Sequence, residues 1–166
     1  MNRNIVLGVR EALEVAGFNV VHINPEGQDI KLGERVRRAN KYCAKYGAGN
    51  CVFVSVHLDA SKEKGWTNAS GYTGYVCTKA SLKSVKLANI FERNATALDM
   101  LGNRWKHTYA KDYFVLKKTD CPAILTESGF MTNKEQVEWM LSKDGYDTIV
   151  KLHCKSINDY LEKILN

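Results

Sequence analysis

The sequence has little proline, no long apolar run and no closely spaced pair of cysteines. Only 2 of its 166 residues are proline, and no repeat or low-complexity stretch interrupts it. Its apolar runs fall well short of the roughly 18 residues that a membrane-spanning helix needs, so we expect no membrane insertion. A hydrophobic content of 45% in 166 residues predicts a single domain, covering 1–166, with a sizeable core.

The charge pattern argues against a nucleic-acid partner and does not identify another one. The net charge of +6 permits attraction to polyanions. However, apart from Arg35, Arg37 and Arg38 in one predicted helix, the basic residues are scattered, so we expect no nucleic-acid partner. The N-terminus, Met1–Asn4, leads directly into an amphipathic helix pattern, which predicts synthesis in the cytoplasm without a signal peptide.

The cysteines are typical of a reduced protein. There are five of them, an odd number without CxxC spacing: Cys43, Cys51, Cys77, Cys121 and Cys154. We expect free thiols, mostly buried, in a protein that folds in a reducing compartment. None has a neighbouring pattern that would activate it as a nucleophile, so cysteine catalysis is not predicted.

Helical and strand-like patterns alternate along the chain. Helical periodicity predicts helices over 5–16, 32–46, 80–102, 134–142 and 145–164. Short apolar runs predict strands over 19–23, 51–57, 71–78, 113–116 and 123–127. Thr132 or Asn133 can cap the helix that follows. This order predicts an α/β fold, a three-layer sandwich with a mostly parallel sheet.

Two of the predicted strands end in residues that can perform chemistry. The run Val54–Val56 is followed by His57, and the run Ala123–Thr126 is followed by Glu127. The carboxyl ends of parallel strands lie at one edge of the sheet, where sites form, so we expect both side chains at one cleft. An imidazole can hold a metal ion, and a carboxylate can move protons.

Each of these residues also has a structural interpretation. His57 can be a core histidine, the commoner role at the end of a strand. Asp59 can orient an imidazole or cap its own turn. Glu127 can form a salt bridge or cap the next helix, or it can act as a general base whose pKa is set by burial.

Four segments together carry a family resemblance. Ser55–Ala60 fits a Ser-x-His-x-Asp-Ala pattern, and Pro122–Asn133 fits Pro-Ala-x-Leu-x-Glu-x-x-Phe-x-x-Asn. Leu32–Asn40 and Gly65–Tyr72 supply a helix and a loop in the same order. The sequence thereby resembles the zinc-dependent N-acetylmuramoyl-L-alanine amidases of the amidase-3 family, which include cell-wall hydrolases and phage lysins.

The resemblance implies a reaction and a set of roles. It implies hydrolysis of the amide between N-acetylmuramic acid and L-alanine in peptidoglycan, with Zn²⁺ as cofactor and the cell wall as the place of action. His57 would be a zinc ligand and Glu127 the catalytic residue. Asp59, Trp66 and Asn68 would support the metal ligand or contact the substrate.

One departure from the family affects these roles. Family members begin with a strand that carries a first zinc histidine, followed by a ligand glutamate just before an Asn-Arg pair. Asn2-Arg3 matches that pair, so we expect an N-terminally truncated domain that lacks the family's first strand and two of its three zinc ligands. No other residue fits those ligand positions, including Glu11, Glu14, His22, His107 and His153.

The departure leaves two other functions open. One is a catalytically inactive remnant or cell-wall-binding module, which would keep the groove without the metal. The other is a zinc metallopeptidase that acts on free peptides. The zinc content of the protein distinguishes the remnant from the enzyme, and cleavage next to muramic acid distinguishes the amidase from the peptidase.

Overall fold

The computed structural model describes residues 1–104 and 106–165, with side chains through residue 163. Within these residues the helices are α1 (Asn2–Val15), α2 (Leu32–Tyr46), α3 (Leu82–Ala97), α4 (Phe114–Lys118), α5 (Lys134–Leu141) and α6 (Lys143–Leu165). The strands are β1 (Phe53–Asp59), β2 (Tyr72–Val76), β3 (Thr108–Ala110) and β4 (Ala123–Phe130).

The strands form one sheet in the order β1-β4-β2-β3, with β4 in an interior position. β1 pairs with β4 in parallel and β2 pairs with β3 in parallel, whereas β2 and β4 are antiparallel. Two of the three pairings are therefore parallel, and the predicted three-layer α/β fold is confirmed with a mixed sheet.

The two faces of the sheet are covered unequally. The larger core joins one face to α1, α3, α5 and α6, and its fully buried side chains include Ile5, Phe91, Ile124, Ile149 and Tyr160. The smaller core joins the other face to α2 and α4 through Val36, Val115, Leu116, Ala123 and Leu125. Glu127 follows Leu125 on this second face and is only half-buried, so the face is partly open at this end.

The strand predicted over 19–23 is wrong. This segment lies outside any helix or strand, and arginines rather than a neighbouring strand bind the carbonyl groups at its end. Arg38 Nη1 donates to the carbonyl of Ile23 at 3.0 Å, and Arg3 Nη1 donates to that of Asn24 at 3.4 Å. A β-ladder requires a partner at the right distance, which the described residues do not supply here.

The strand predicted over 113–116 is also wrong. Phe114–Lys118 forms the short helix α4, and the strand in this region is the preceding Thr108–Ala110. Aromatic and β-branched residues favour strands, but packing overrides this preference. As a helix, the segment buries Val115 and Leu116 against the second face of the sheet.

β1 is an edge strand with a large groove beside it. A cavity of about 1040 Å³ lies between β1, α1, α2 and residues 17–24. Its lining is mostly apolar along Val52–Leu58, and His57 and Met131 are also part of it. The groove therefore runs along the unpaired side of β1 and includes His57.

The five thiols are less buried than the sequence predicts. All five cysteines are free, and Cys43 and Cys121 are buried. No helix in the described part of the chain is both long and apolar enough to cross a membrane.

Candidate functional site

The sheet places His57 and Glu127 side by side. They are Cα partners in the parallel pairing of β1 and β4, and Glu127 is also the Cα partner of Thr73 on β2. Neighbouring strands lie about 4.8 Å apart, and side chains of paired residues lie on the same face. The two side chains that the sequence predicted at one cleft are thus adjacent at the C-terminal end of β1.

The local sequence explains this placement. Val54 and Val56 on β1 face the larger core with Ile124 on β4, so the alternate residues Ser55, His57 and Glu127 face the other side. The register shifts between His57 and Asp59, so that Asp59 pairs with Phe130. Such irregularities re-aim side chains next to sites.

Glu127 is a carboxyl group without a partner. Its Oε2 is buried and has no hydrogen-bond partner in the described structure. Burial raises the pKa of Glu127 from 4.5 to about 8, the negative charge of Asp59 adds to this, and Lys111 and Arg104 oppose it. Glu127 is therefore mostly protonated at pH 7, and the described residues give it neither the salt bridge nor the helix cap of the structural interpretation.

The raised pKa predicts a pH-dependent stability difference for Glu127→Gln. Between pH 4.5 and about 8, the unfolded carboxyl ionises while the folded one keeps its proton, so the wild type loses stability as pH rises. Glutamine does not titrate. We expect the stability of the variant relative to wild type to rise by about 1–3 kcal/mol from pH 4 to pH 8, reduced from the full shift because Glu127 is only half-buried.

Urea unfolding at several pH values measures this difference. Glu138→Gln, which removes an exposed carboxylate on α5, is the matched control and should follow the wild type. A constant difference between Glu127→Gln and wild type from pH 4 to pH 8 would show that Glu127 titrates normally.

His57 is held as a neutral imidazole. Its Nε2 lies 2.9 Å from Ser55 Oγ, two residues earlier on the same face. Burial, and to a lesser degree the charge of Arg35, lower the pKa of His57 from its ordinary value of 6.5. A neutral imidazole is the form that binds a metal ion, and it is also the form expected of a core histidine.

Asp59 uses its carboxylate elsewhere. Its Oδ1 accepts a hydrogen bond from its neighbour, the Ala60 amide, at 2.8 Å, and its Oδ2 lies 3.5 Å from Arg104 Nη1. Neither oxygen is bonded to His57 among the described contacts. The structure thus favours the turn-capping interpretation, and Asp59 influences the site through its charge.

Trp66 and Asn68 lie on the loop that follows β1. The Thr67 amide donates to the carbonyl of Thr132 at 2.7 Å, and Asn103 Nδ2 donates to the carbonyl of Asn68 at 2.7 Å. Trp66 is 67% exposed. No contact in the described structure joins either predicted substrate residue to His57 or Glu127, so their roles stay predictions.

Sequence reasoning missed a group of residues that flanks Glu127. We call Tyr75, Tyr109, Tyr113, Arg104 and Lys111 the tyrosine–cation wall. Tyr75 lies on the same face as Glu127, because Tyr75 pairs with Leu125. The Tyr75 ring lies 5.8 Å from that of Tyr109 and 5.3 Å from that of Tyr113. The signal available in the sequence was the alternation of basic and aromatic residues over 104–118.

The cations of this wall lie over aromatic rings. Arg104 lies 5.4 Å from the centre of the Tyr109 ring and 5.3 Å from that of Phe130. Lys111 Nζ lies 4.6 Å from the centre of the Tyr113 ring and 5.9 Å from that of Tyr75. Such cation–π contacts restrict the directions that long basic side chains can take.

The described residues do not form a zinc site. They contain no cluster of three or more histidine, cysteine, aspartate or glutamate side chains placed to hold a metal ion. A catalytic zinc needs about three protein ligands, whereas this site offers the imidazole of His57 and the carboxyl of Glu127. The donor set therefore does not fit the cofactor that the sequence resemblance implies.

Comparison with known proteins identifies relatives among cell-wall enzymes. The chain is 24% identical over 155 residues to N-acetylmuramoyl-L-alanine amidase CwlM of Bacillus licheniformis, which covers 93% of this chain and 54% of the relative. It is 31% identical over 143 residues to the endolysin of Bacillus phage SPP1, covering 79% of this chain and 45% of that protein. The chain thus spans about half the length of these curated relatives.

Solved structures share the fold. The catalytic domain of CwlV, an N-acetylmuramoyl-L-alanine amidase from Bacillus (Paenibacillus) polymyxa var. colistinus, superimposes with a TM-score of 0.77 at 22% identity, over 96% of this chain and 82% of that one. The N-acetylmuramyl-L-alanine amidase Ami1 from Mycobacterium smegmatis gives a TM-score of 0.80 at 19% identity, over 96% and 74%. A family model described as N-acetylmuramoyl-L-alanine amidase matches residues 1–159. The chain therefore belongs to the N-acetylmuramoyl-L-alanine amidase family.

Proposed function

We propose that this chain carries the proton-transfer half of an amidase site that cleaves the bond between N-acetylmuramic acid and L-alanine in peptidoglycan. The observation that carries the proposal is the unpartnered carboxyl of Glu127, with a pKa raised to about 8, at a partly open end of the sheet. The family match over residues 1–159 supports peptidoglycan as the substrate.

Glu127 has the properties of a proton carrier. A general acid–base group works best when its pKa lies near the working pH, and a pKa of about 8 meets this condition far better than the ordinary 4.5. In its ionised form Glu127 takes a proton from the attacking water. It then returns that proton to the nitrogen of L-alanine as the amide bond breaks.

Digestion of purified peptidoglycan with and without added zinc tests the reaction, because a weakly bound ion occupies its site only when it is in excess. An amidase releases peptides that begin with L-alanine and leaves muramic acid with a free lactyl carboxylate. A metallopeptidase would cut within the peptides instead, and a wall-binding remnant would sediment with peptidoglycan and release nothing. Mass spectrometry of the soluble products separates the three outcomes.

The 166-residue chain is expected to bind zinc weakly and to show little amidase activity. The reason is ligand number: among the described residues His57 is the single side chain that matches a family ligand, and one imidazole does not hold zinc against dialysis. Elemental analysis after dialysis against metal-free buffer measures the zinc, and the digestion described above measures the activity.

Zinc near one ion per chain, together with clear peptide release, would contradict this expectation. Another residue would then serve as ligand, and the first to replace would be Glu11, Glu14, Asp59 and His107. Alanine variants at these positions, compared with His57→Ala, would show which side chains hold the ion.

A further inference from the structure

We propose that the tyrosine–cation wall is a subsite for a carboxylate on the peptide part of the substrate, with Arg104 and Lys111 as its ligands. This proposal rests on the amidase function proposed above and adds a specificity that the family match does not supply. Four observations support it: the position of the wall, the state of its cations, the local charge balance and the chemistry of the substrate.

The wall stands on the same face of the sheet as Glu127, one same-face position along β2: Thr73 is opposite Glu127, and Tyr75 is opposite Leu125. Tyr75 is the Cα partner of Leu125 on one side and of Tyr109 on the other, so all three point to the same face as Glu127. Arg104 joins the far end of the wall to Asp59, at 3.5 Å. The wall and β1 therefore flank Glu127 on opposite sides.

The backbone anchors Lys111 to the sheet. The Lys111 amide donates to the carbonyl of Val76 at 2.8 Å, immediately after the last residue of β3. Its side chain lies over the rings of Tyr75 and Tyr113 and has no carboxylate within 4.0 Å among the described residues. Lys111 is thus a cation beside two rings, and its ammonium group makes no hydrogen bond to the described residues.

Arg104 is only weakly neutralised. Its contact with Asp59 is a single one at 3.5 Å, whereas a strong arginine–carboxylate pair makes two parallel bonds of about 2.7–2.9 Å. The planar group contacts the rings of both Tyr109 and Phe130. It therefore retains donors for a second carboxylate.

The local charge balance favours an anion. Arg104, Lys106 and Lys111 all lie over rings of the wall, and Lys117 lies 3.5 Å from Asp112. The carboxyl groups of the same region are Asp59, Asp112 and Glu127, and Asp112 is already bonded to Cys77 and Thr78. Cations thus exceed anions at this edge.

The chemistry of the substrate assigns the carboxylate to the peptide. The lactyl carboxyl of muramic acid is consumed in the amide that is cleaved, so the sugar side of the intact substrate has no free carboxylate. The peptide side has carboxylates on acidic residues or at its C-terminus. The cations already cover faces of these rings, which leaves less ring surface on which a sugar can stack. An anion can instead bind the cations themselves.

Calorimetric binding measurements test the subsite without requiring turnover. The probes are N-acetylmuramoyl-L-alanyl-D-glutamate, the same compound with both carboxyls converted to amides, and N-acetylmuramic acid alone. We expect the wild-type protein to bind the diacid about tenfold more tightly than the diamide, as a charge-assisted contact provides. Lys111→Gln and Arg104→Gln should each remove most of this preference, and Arg104→Lys should restore part of it.

Lys151→Gln is the matched control. It removes the same charge from an exposed position on α6, which packs on the opposite face of the sheet. The variant should keep the tenfold preference, and thermal melts should show that all variants are folded.

Two results would overturn the proposal. One is equal binding of diacid and diamide by the wild type, or a preference that survives both Lys111→Gln and Arg104→Gln. The other is binding of N-acetylmuramic acid as tight as that of the diacid and equally sensitive to the variants, which would assign the wall to the lactyl carboxylate of the product. Neither depends on Glu127, so a failure of the subsite is distinguishable from a failure of the proposed reaction.

Discussion

Replacing Glu127 with glutamine is expected to reduce amidase turnover by about 100- to 10,000-fold in a catalytically active form of the domain, which is the usual contribution of a general acid–base group. The amide has nearly the same shape as the carboxyl but cannot take a proton from water. Since Glu127 is assigned to proton transfer and not to metal binding, the zinc content should be unchanged.

The measurement is the rate of peptide release from purified peptidoglycan, with zinc determined on the same samples. Glu138→Gln, on the exposed side of α5, is the control and should keep wild-type turnover. Turnover by Glu127→Gln within a few-fold of wild type would remove Glu127 from the mechanism. Loss of zinc together with activity would make it a ligand.

The second large effect is expected at Gly71, which precedes β2. Gly71 has a φ of 101°, and a Cβ there would lie 1.9 Å from the carbonyl oxygen of Leu101. The segment around Gly71 lies against the segment around Gly102, where a Cβ would lie 2.5 Å from the backbone of Ser70. The two chain segments therefore touch through their glycines, and the contact positions the segment that carries Arg104.

Gly71→Ala is expected to destabilise the protein by about 3–5 kcal/mol, a large part of the stability of a typical domain. Two controls separate the causes. Gly17→Ala has a positive φ of 89° but nothing within 4 Å, so we expect about 1–2 kcal/mol from the backbone alone. Gly27→Ala has neither feature and should have little effect.

Denaturant unfolding measures the free energy of unfolding of the three variants. The expected order of destabilisation is Gly71→Ala, then Gly17→Ala, then Gly27→Ala. If Gly71→Ala lowers the free energy of unfolding by no more than Gly17→Ala does, the segments that contain Gly71 and Gly102 move apart easily. The position of Arg104 would then not depend on their contact.

The proximity of His57 and Glu127 could be predicted from the sequence because a simple rule applied. Two apolar runs each ended in a reactive residue, and their strands pair in parallel with His57 opposite Glu127. The helix after β4 was predicted with similar success, since Asn133 accepts a hydrogen bond from the Gln136 amide at 3.1 Å, as an N-cap does.

The tyrosine–cation wall was not predicted because its parts come from separate segments. Tyr75 lies on β2, whereas Tyr109 lies on β3, which has only three residues and no recognisable strand pattern. Strong β propensity at Tyr113–Leu116 also directed the prediction to the wrong place. Periodicity reports which face of an element is apolar, but not which distant segment it meets.

The interior position of β4 determines when the site can form. β4 is the last strand in the sequence, yet it lies between β1 and β2, and Glu127 pairs with residues of both. Until β4 has been synthesised, β1 and β2 have no common partner. The β4 partners of β1 lie about 70 residues later in the chain, and those of β2 lie about 50 to 56 residues later. Such long-range pairings make folding slow. β2 and β3 can pair before β4 exists, but His57 and Glu127 become neighbours only when β4 has been synthesised and has joined β1.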